Sequence, residues 1–132
     1  VLVITHAGQP VAVLFASVAP HGYNAAINLL IGVSPAGAVT GVRAVRHRET
    51  SGLGDAIEAT KSDWIEQFNG KTLADPDAAR WAVAQDDGAF DSITGATVTS
   101  RAVVAAVKNA LLYLYSAAAA AAAVAQDDES AR

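Results

Sequence analysis

The sequence predicts an α+β domain: an antiparallel sheet of hairpins with short helices and a long C-terminal helix. Three observations carry that prediction. Apolar segments rich in β-branched residues flank Ser34-Pro35-Ala36-Gly37, a turn with Pro early and Gly late. Two short helical candidates lie in the middle of the chain, the second stopped by Asn69-Gly70. Beyond Ser100, the residues Val103, Val107, Leu111 and Leu114 recur at spacings of three to four, which puts them on one helical face.

Taken in order, Val1 to Thr5 reads as a strand, Ala7-Gly8-Gln9-Pro10 as a turn, and Val11 to Val18 as a second strand. Pro20-His21-Gly22 breaks the pattern. Ala25 to Val33 and Ala38 to Arg48 then form a hairpin across the Pro-Gly turn. Simple alternation along the returning strand puts Val39, Gly41, Arg43, Val45 and His47 on one face, with Val42, Ala44 and Arg46 on the other. Asp55 to Thr60 and Ser62 to Phe68 are the short helices, the latter with Ser62 as N-cap. Arg80 to Ala84 reads as a short strand ending at Asp86-Asp87-Gly88. The long helix is expected from Thr99 or Ser100. The domain proper is expected over residues 1–116. Residues 117–132 read as an Ala-rich and acidic tail, a helical extension or disordered, with the polar end from Gln126 expected to fray.

Composition narrows the function. The 132 residues suit one domain, and 52% hydrophobic residues suffice for a core, although much of that share is Ala. A formal net charge of −4 argues against a nucleic-acid partner. With no Cys, thiolate metal sites and iron–sulfur ligation within this chain are excluded. His6, His21 and His47 show no metal-ligand spacing. No apolar run reaches the roughly 20 residues that a membrane-crossing helix needs.

Chemistry concentrates in Asp91-Ser92-Ile93-Thr94-Gly95-Ala96-Thr97-Val98-Thr99-Ser100. Hydroxyls and a glycine sit where a helix begins, and a helix N-terminus offers unpaired N–H groups and partial positive charge to a phosphate. The plainer alternative is a turn and a capping residue.

This stretch, continued by Arg101-Ala102-Val103-Val104, resembles the flavin-attachment motif of the FMN-binding domain family, an acidic residue followed by [Ser/Thr]-Gly-Ala-Thr. Further matching segments are His21-Gly22-Tyr23-Asn24, Arg46 to Asp55, Lys61-Ser62-Asp63-Trp64-Ile65 and Trp81-Ala82-Val83, so the similarity spans roughly residues 21 to 115. Within the family the chain resembles the G subunits of Rnf electron-transport complexes, and more distantly the C subunits of sodium-pumping NADH:quinone reductases.

The resemblance implies FMN covalently attached through a phosphoester to Thr97, placed there by a separate flavin transferase. It implies a redox subunit of a membrane-bound, ion-translocating oxidoreductase rather than an independent catalyst, with other subunits of that complex as partners. It also implies an N-terminal membrane helix preceding this sequence and a domain on the periplasmic or extracytoplasmic side of the cell membrane. Thr94, Gly95, Ala96, Val98 and Thr99 would surround the phosphate, with Thr94 and Thr99 either bonding it or capping the helix. Asp91 would be read by the transferase or hold magnesium during attachment, or be a solvated turn residue. Glu49, Thr50, Gly52, Leu53 and Gly54 would lie near the flavin ring, or form a hairpin-exit loop.

Trp64 and Trp81 read as core residues, with flavin stacking as the alternative. Arg43, Arg46, His47 and Arg48 read as charges protecting a strand edge, or a partner-docking patch. The rival readings of the whole chain are an FMN-bearing subunit of a different membrane complex and a non-catalytic assembly domain with an unmodified motif.

Overall fold

The computed structural model describes residues 2–20 and 22–130, and their side chains except at 2–6, 9–12 and 117–130. Four strands, β1 (Leu2–His6), β2 (Gln9–Ala19), β3 (Ile27–Val33) and β4 (Val39–Arg46), form an antiparallel sheet in the order β1-β2-β3-β4. A long helix, α1 (Thr97–Ser130), follows a stretch of short 3₁₀ turns. The α+β arrangement is the one the sequence predicts. Val1, His21, Ala131 and Arg132 lie outside the described residues, so the readings that fall on them stay as expectations.

The β1–β2 connection is tighter than the four-residue turn expected. Ala7 and Gly8 alone make it, both with positive φ (53° and 79°), and Gln9 and Pro10 already belong to β2. Two left-handed residues match the right-handed twist of the strands they join.

The face assignment along β4 is corrected by a bulge. Gly32 pairs with Gly41, but Val33 pairs with Val39, which leaves Thr40 as an extra residue. The insertion puts Val39 on the same face as Val42, and both are fully buried. They face the core beside Ile27, Leu29, Ile31 and Val33 of β3. Onto this face packs α1, through Val103, Val107 and Leu111 as the spacing predicts, and also through Val104, Ala106 and Ala110. Each large apolar side chain buried here contributes roughly 1.5–3 kcal/mol.

Between sheet and helix the chain crosses the core in single turns. The expected short helices are 3₁₀ turns, Gly54–Ile57 and Trp64–Phe68. Segments this short gain too few hydrogen bonds to offset α-helix nucleation. Ser62 accepts the Trp64 N–H at 3.1 Å, but Asp63 holds the cap position. The strand expected over Arg80 to Ala84 is replaced by two 3₁₀ turns, Ala78–Arg80 and Ala84–Asp86, flanking one bridge between Val83 and Phe90. Aromatic packing explains the change. Trp81 is buried against Phe90 (ring centroids 4.6 Å apart) and Phe68 (6.3 Å), and its indole N–H donates to the Thr72 carbonyl at 2.9 Å. Trp81 is therefore a core residue.

Candidate functional site

The helix begins at Thr97, two to three residues before the expected start at Thr99 or Ser100, because the turn before it closes tightly. Gly95 has φ +79°, a left-handed conformation that glycine adopts without a steric penalty. A Cβ there would also stand 3.1 Å from the Leu53 side chain. The Ala96 N–H donates to the Ile93 carbonyl at 2.9 Å and closes the turn. Ser100 then locks it: its hydroxyl donates to the Ala96 carbonyl at 2.8 Å and accepts the Ile93 N–H at 2.8 Å. Thr97 is thereby the first residue of α1, where backbone N–H groups lack intrahelical acceptors.

Thr97 is partly exposed and stands between two hollows. One, of about 450 Å³, is lined by Tyr23, Thr50, Leu53, Gly54 and the Gly95–Thr99 segment. It has apolar walls, since Tyr23, Leu53 and Val98 are 67%, 44% and 46% exposed and present their side chains at the surface. The other, of about 520 Å³, is polar and is lined by Gln85, Asp91, Ser92, Thr94 and Thr97 among others. Both are of the size typical of small-molecule sites, roughly 300–1,000 Å³.

Thr94 is exposed and Ala96 is buried beneath the turn. Thr99 is 2% exposed, and its hydroxyl donates to Glu49 Oε1 at 2.8 Å, so it neither caps α1 nor faces the polar hollow. Glu49 is itself buried and also accepts the backbone N–H groups of Tyr23 (2.8 Å) and Asn24 (3.1 Å). Thr50 accepts from the Asn24 side chain at 3.3 Å. Gly54 lies too close to this cluster for any side chain, since a Cβ would meet Glu49 Cβ and Thr99 Oγ1 at 2.9 Å.

The loop that carries Leu53 is braced from below. Buried Asp55 accepts the Gly52 N–H at 3.0 Å and the Lys61 ammonium at 2.9 Å. That ammonium hydrogen bond holds the Asp55 carboxyl below its usual value, and the same ammonium, 2.9 Å from Glu58, does likewise there. The two carboxylates in turn raise Lys61. His47 accepts the Glu49 N–H through Nδ1 at 3.0 Å and lies 3.6 Å from Glu58 through Nε2. Of the basic cluster, Arg43 pairs with Glu66 at 3.2 Å, while Arg46 and Arg48 are exposed.

The polar hollow has its own brace. The Asp91 main chain is gripped by the Gln67 amide, which accepts its N–H at 2.9 Å and donates to its carbonyl at 3.1 Å. Asp91 keeps its carboxylate exposed toward the hollow. Arg101, one helical turn beyond Thr97, forms a two-pronged pair with Asp86 at 2.8 and 3.0 Å, which holds that carboxyl below its usual value. Among the described residues no group of three or more His, Asp or Glu converges as a metal site.

Sequence reasoning does not single out Ser100, Gln67 or Tyr23 as builders of this site. The one signal it offers is Thr99-Ser100 inside a first helical turn, where buried hydroxyls need partners.

Comparison with known proteins is consistent along most of the chain. The profile of the FMN-binding domain family matches residues 22–112. A protein of Shewanella baltica (strain OS223), named as the G subunit of an ion-translocating oxidoreductase complex, is 51% identical over 111 residues, covering 84% of this chain and 52% of that protein. Proteins of the same name from Pseudomonas aeruginosa (strain UCBPP-PA14) and Yersinia pestis are 56% and 54% identical over 106 residues each. These stretches cover 80% of this chain and 50% and 51% of the two relatives. The chain thus spans about half the length of the curated relatives it matches.

Proposed function

This chain belongs to the FMN-binding domain family, and from that premise we propose that it carries FMN on Thr97, as part of an electron-transfer subunit of an Rnf-type ion-translocating oxidoreductase complex. The observation that carries the reading is the position of Thr97: a partly exposed residue at the start of α1 that lines two hollows of small-molecule size. The residues present fit the group. Tyr23, Leu53 and Val98 offer apolar surface to a flat heterocycle, and the N-terminal end of α1 offers partial positive charge to a phosphate.

Attachment is a transfer in which the Thr97 oxygen bonds to the phosphorus of the FMN half of FAD. The hydroxyl proton is lost and AMP leaves, under a separate flavin transferase. The turn locked by Gly95 and Ser100 holds Thr97 at the start of α1, and exposed Asp91 lines the same polar hollow, where it would serve the transferase or a magnesium ion during the step. The bound flavin supplies the electron chemistry, and the protein supplies attachment, orientation and electrostatics. A cofactor with a micromolar Kd is held by only about 8 kcal/mol and exchanges with solution, and a phosphoester ends that exchange.

A complex that translocates ions works across a membrane. The domain is accordingly read as membrane-associated, on the extracytoplasmic side, with neighbouring subunits as its redox partners. No helix among the described residues is long and apolar enough to cross a membrane. The anchor in this reading is a helix preceding residue 1.

Coexpression with the transferase, followed by intact and peptide mass spectrometry, tests the proposal. The expected result is one FMN on the peptide containing Thr97, and none after Thr97→Ala. An unmodified Thr97 under conditions that flavinylate a relative would leave the rival reading, a domain that assembles without carrying flavin.

A further inference from the structure

Glu49 is the one buried carboxylate among the described residues that has no cationic partner, since every ion pair there uses other acids. What it has instead is three donors from two distant segments. The N–H groups of Tyr23 and Asn24 come from the β2–β3 connection, and the Thr99 hydroxyl comes from the first turn of α1. The backbone after Glu49 leads into the Thr50–Gly54 loop. These three segments supply most of the wall of the 450 Å³ hollow, so one side chain ties the wall together.

We propose that Glu49 is the positioning residue of this hollow: its carboxylate fixes the three segments that wall it, and its charge, set behind that wall, makes a flavin bound there harder to reduce. The proposal rests on the FMN reading above. Its physical basis is that an unpaired charge in a poorly solvated place acts over several ångströms, and electrons arriving on the flavin are repelled by it. Neutralising Glu49 is expected to raise the ratio of reduced to oxidised flavin about tenfold at fixed solution potential, which for one electron is about 59 mV.

Glu49→Gln keeps the shape of the side chain but replaces one acceptor oxygen with a donor. Asn24 still reaches the Arg48 carbonyl at 2.7 Å, which helps the variant stay folded. In the protein without flavin, the Tyr23 and Asn24 amides should exchange slowly with deuterium, and Glu49→Gln should speed at least one of them about tenfold. Unchanged exchange at both overturns the positioning role.

In the flavinylated protein, Glu49→Gln should raise the flavin midpoint potential, whereas Thr99→Val, which loosens the clasp but keeps the charge, should not. Equal shifts in the two variants, or none in Glu49→Gln, overturn the electrostatic role. Should Glu49→Gln not fold, Glu49→Asp keeps the charge with a shorter reach. It should lose amide protection and flavin yield while holding the parent potential, and a changed potential there overturns the proposal. Absence of FMN from the parent Thr97 defeats the flavin reading and the electrostatic role with it, while amide exchange still decides the positioning role.

Discussion

The indole N–H of Trp64 donates to the main-chain carbonyl of Asp91 at 2.8 Å, across 27 residues of sequence. Trp64 packs edge-on against buried Phe68, with ring centroids 5.7 Å apart. The aromatic core is thus bonded directly to the segment that leads into the turn before α1. Gln67, in the same 3₁₀ turn, adds two further bonds to Asp91.

Removing that grip should affect attachment more than stability. Gln67→Ala deletes two partly solvated hydrogen bonds, so the loss in unfolding free energy is expected to be about 1–2 kcal/mol. The Asp91 main chain would gain freedom, and the yield of flavinylated protein should fall severalfold. Intact mass after coexpression with the transferase, beside a thermal melt, measures both. A fall in melting temperature with full flavin yield would show that Asp91 needs no support from Gln67.

Gly95→Ala should be costly for its size. The left-handed conformation costs a residue with a Cβ about 1–2 kcal/mol, and the new methyl would press on Leu53. Lower stability by denaturant unfolding should accompany poorer flavinylation, because the same turn presents Thr97. Parent-like values for both would mean that the turn relaxes without consequence.

Phe68→Ala tests the core. Phe68 is fully buried and lies within 5.0 Å (centroid to centroid) of Phe90 and 6.3 Å of Trp81. Truncating such a residue costs about 3–5 kcal/mol, a large part of the roughly 5–15 kcal/mol that stabilises a domain. Chemical denaturation should show a correspondingly lower midpoint, or an unfolded protein.

Acid should loosen the Leu53 loop before it unfolds the domain. Asp55 and Glu58 are held below their usual values, chiefly by hydrogen bonds from Lys61. Groups with lowered folded values stabilise above the usual carboxylate range, about 4, and lose that contribution as pH falls through the lower folded value. Lys61, raised, keeps its contribution until pH rises above the usual lysine range, about 10.4. The loop should therefore hold from mildly acidic to mildly alkaline pH and open below about 4. Amide exchange at Gly52, whose N–H bonds to Asp55, reports the opening. Lys61 is half exposed, so high salt should weaken the effect.

The regular elements are legible because their periodicities are local. The β3–β4 hairpin follows from its apolar runs and the Pro-Gly turn, and the buried face of α1 from Val103, Val107 and Leu111. Three misreadings have physical causes. Alternation along β4 fails at the Thr40 bulge, which no two-residue period can show. Arg80 to Ala84 is apolar enough for a strand, but Trp81 and Phe90 satisfy the segment by packing instead. The start of α1 reads late because the apolar stripe begins only at Val103, while the helix is set by Gly95 and Ser100. At the site, the position of Thr97 can be read from its motif. The inward turn of Thr99 toward Glu49 cannot, since a bond spanning 50 residues leaves no trace in spacing.

Every strand of the sheet pairs with its neighbour in sequence. Such a sheet can zip up hairpin by hairpin while the ribosome is still adding residues. The 450 Å³ hollow cannot, because it needs Tyr23, Leu53 and Thr97 together. A nascent chain shorter than the first turns of α1 lacks that hollow, so under the proposed function flavin attachment would follow synthesis of most of the domain.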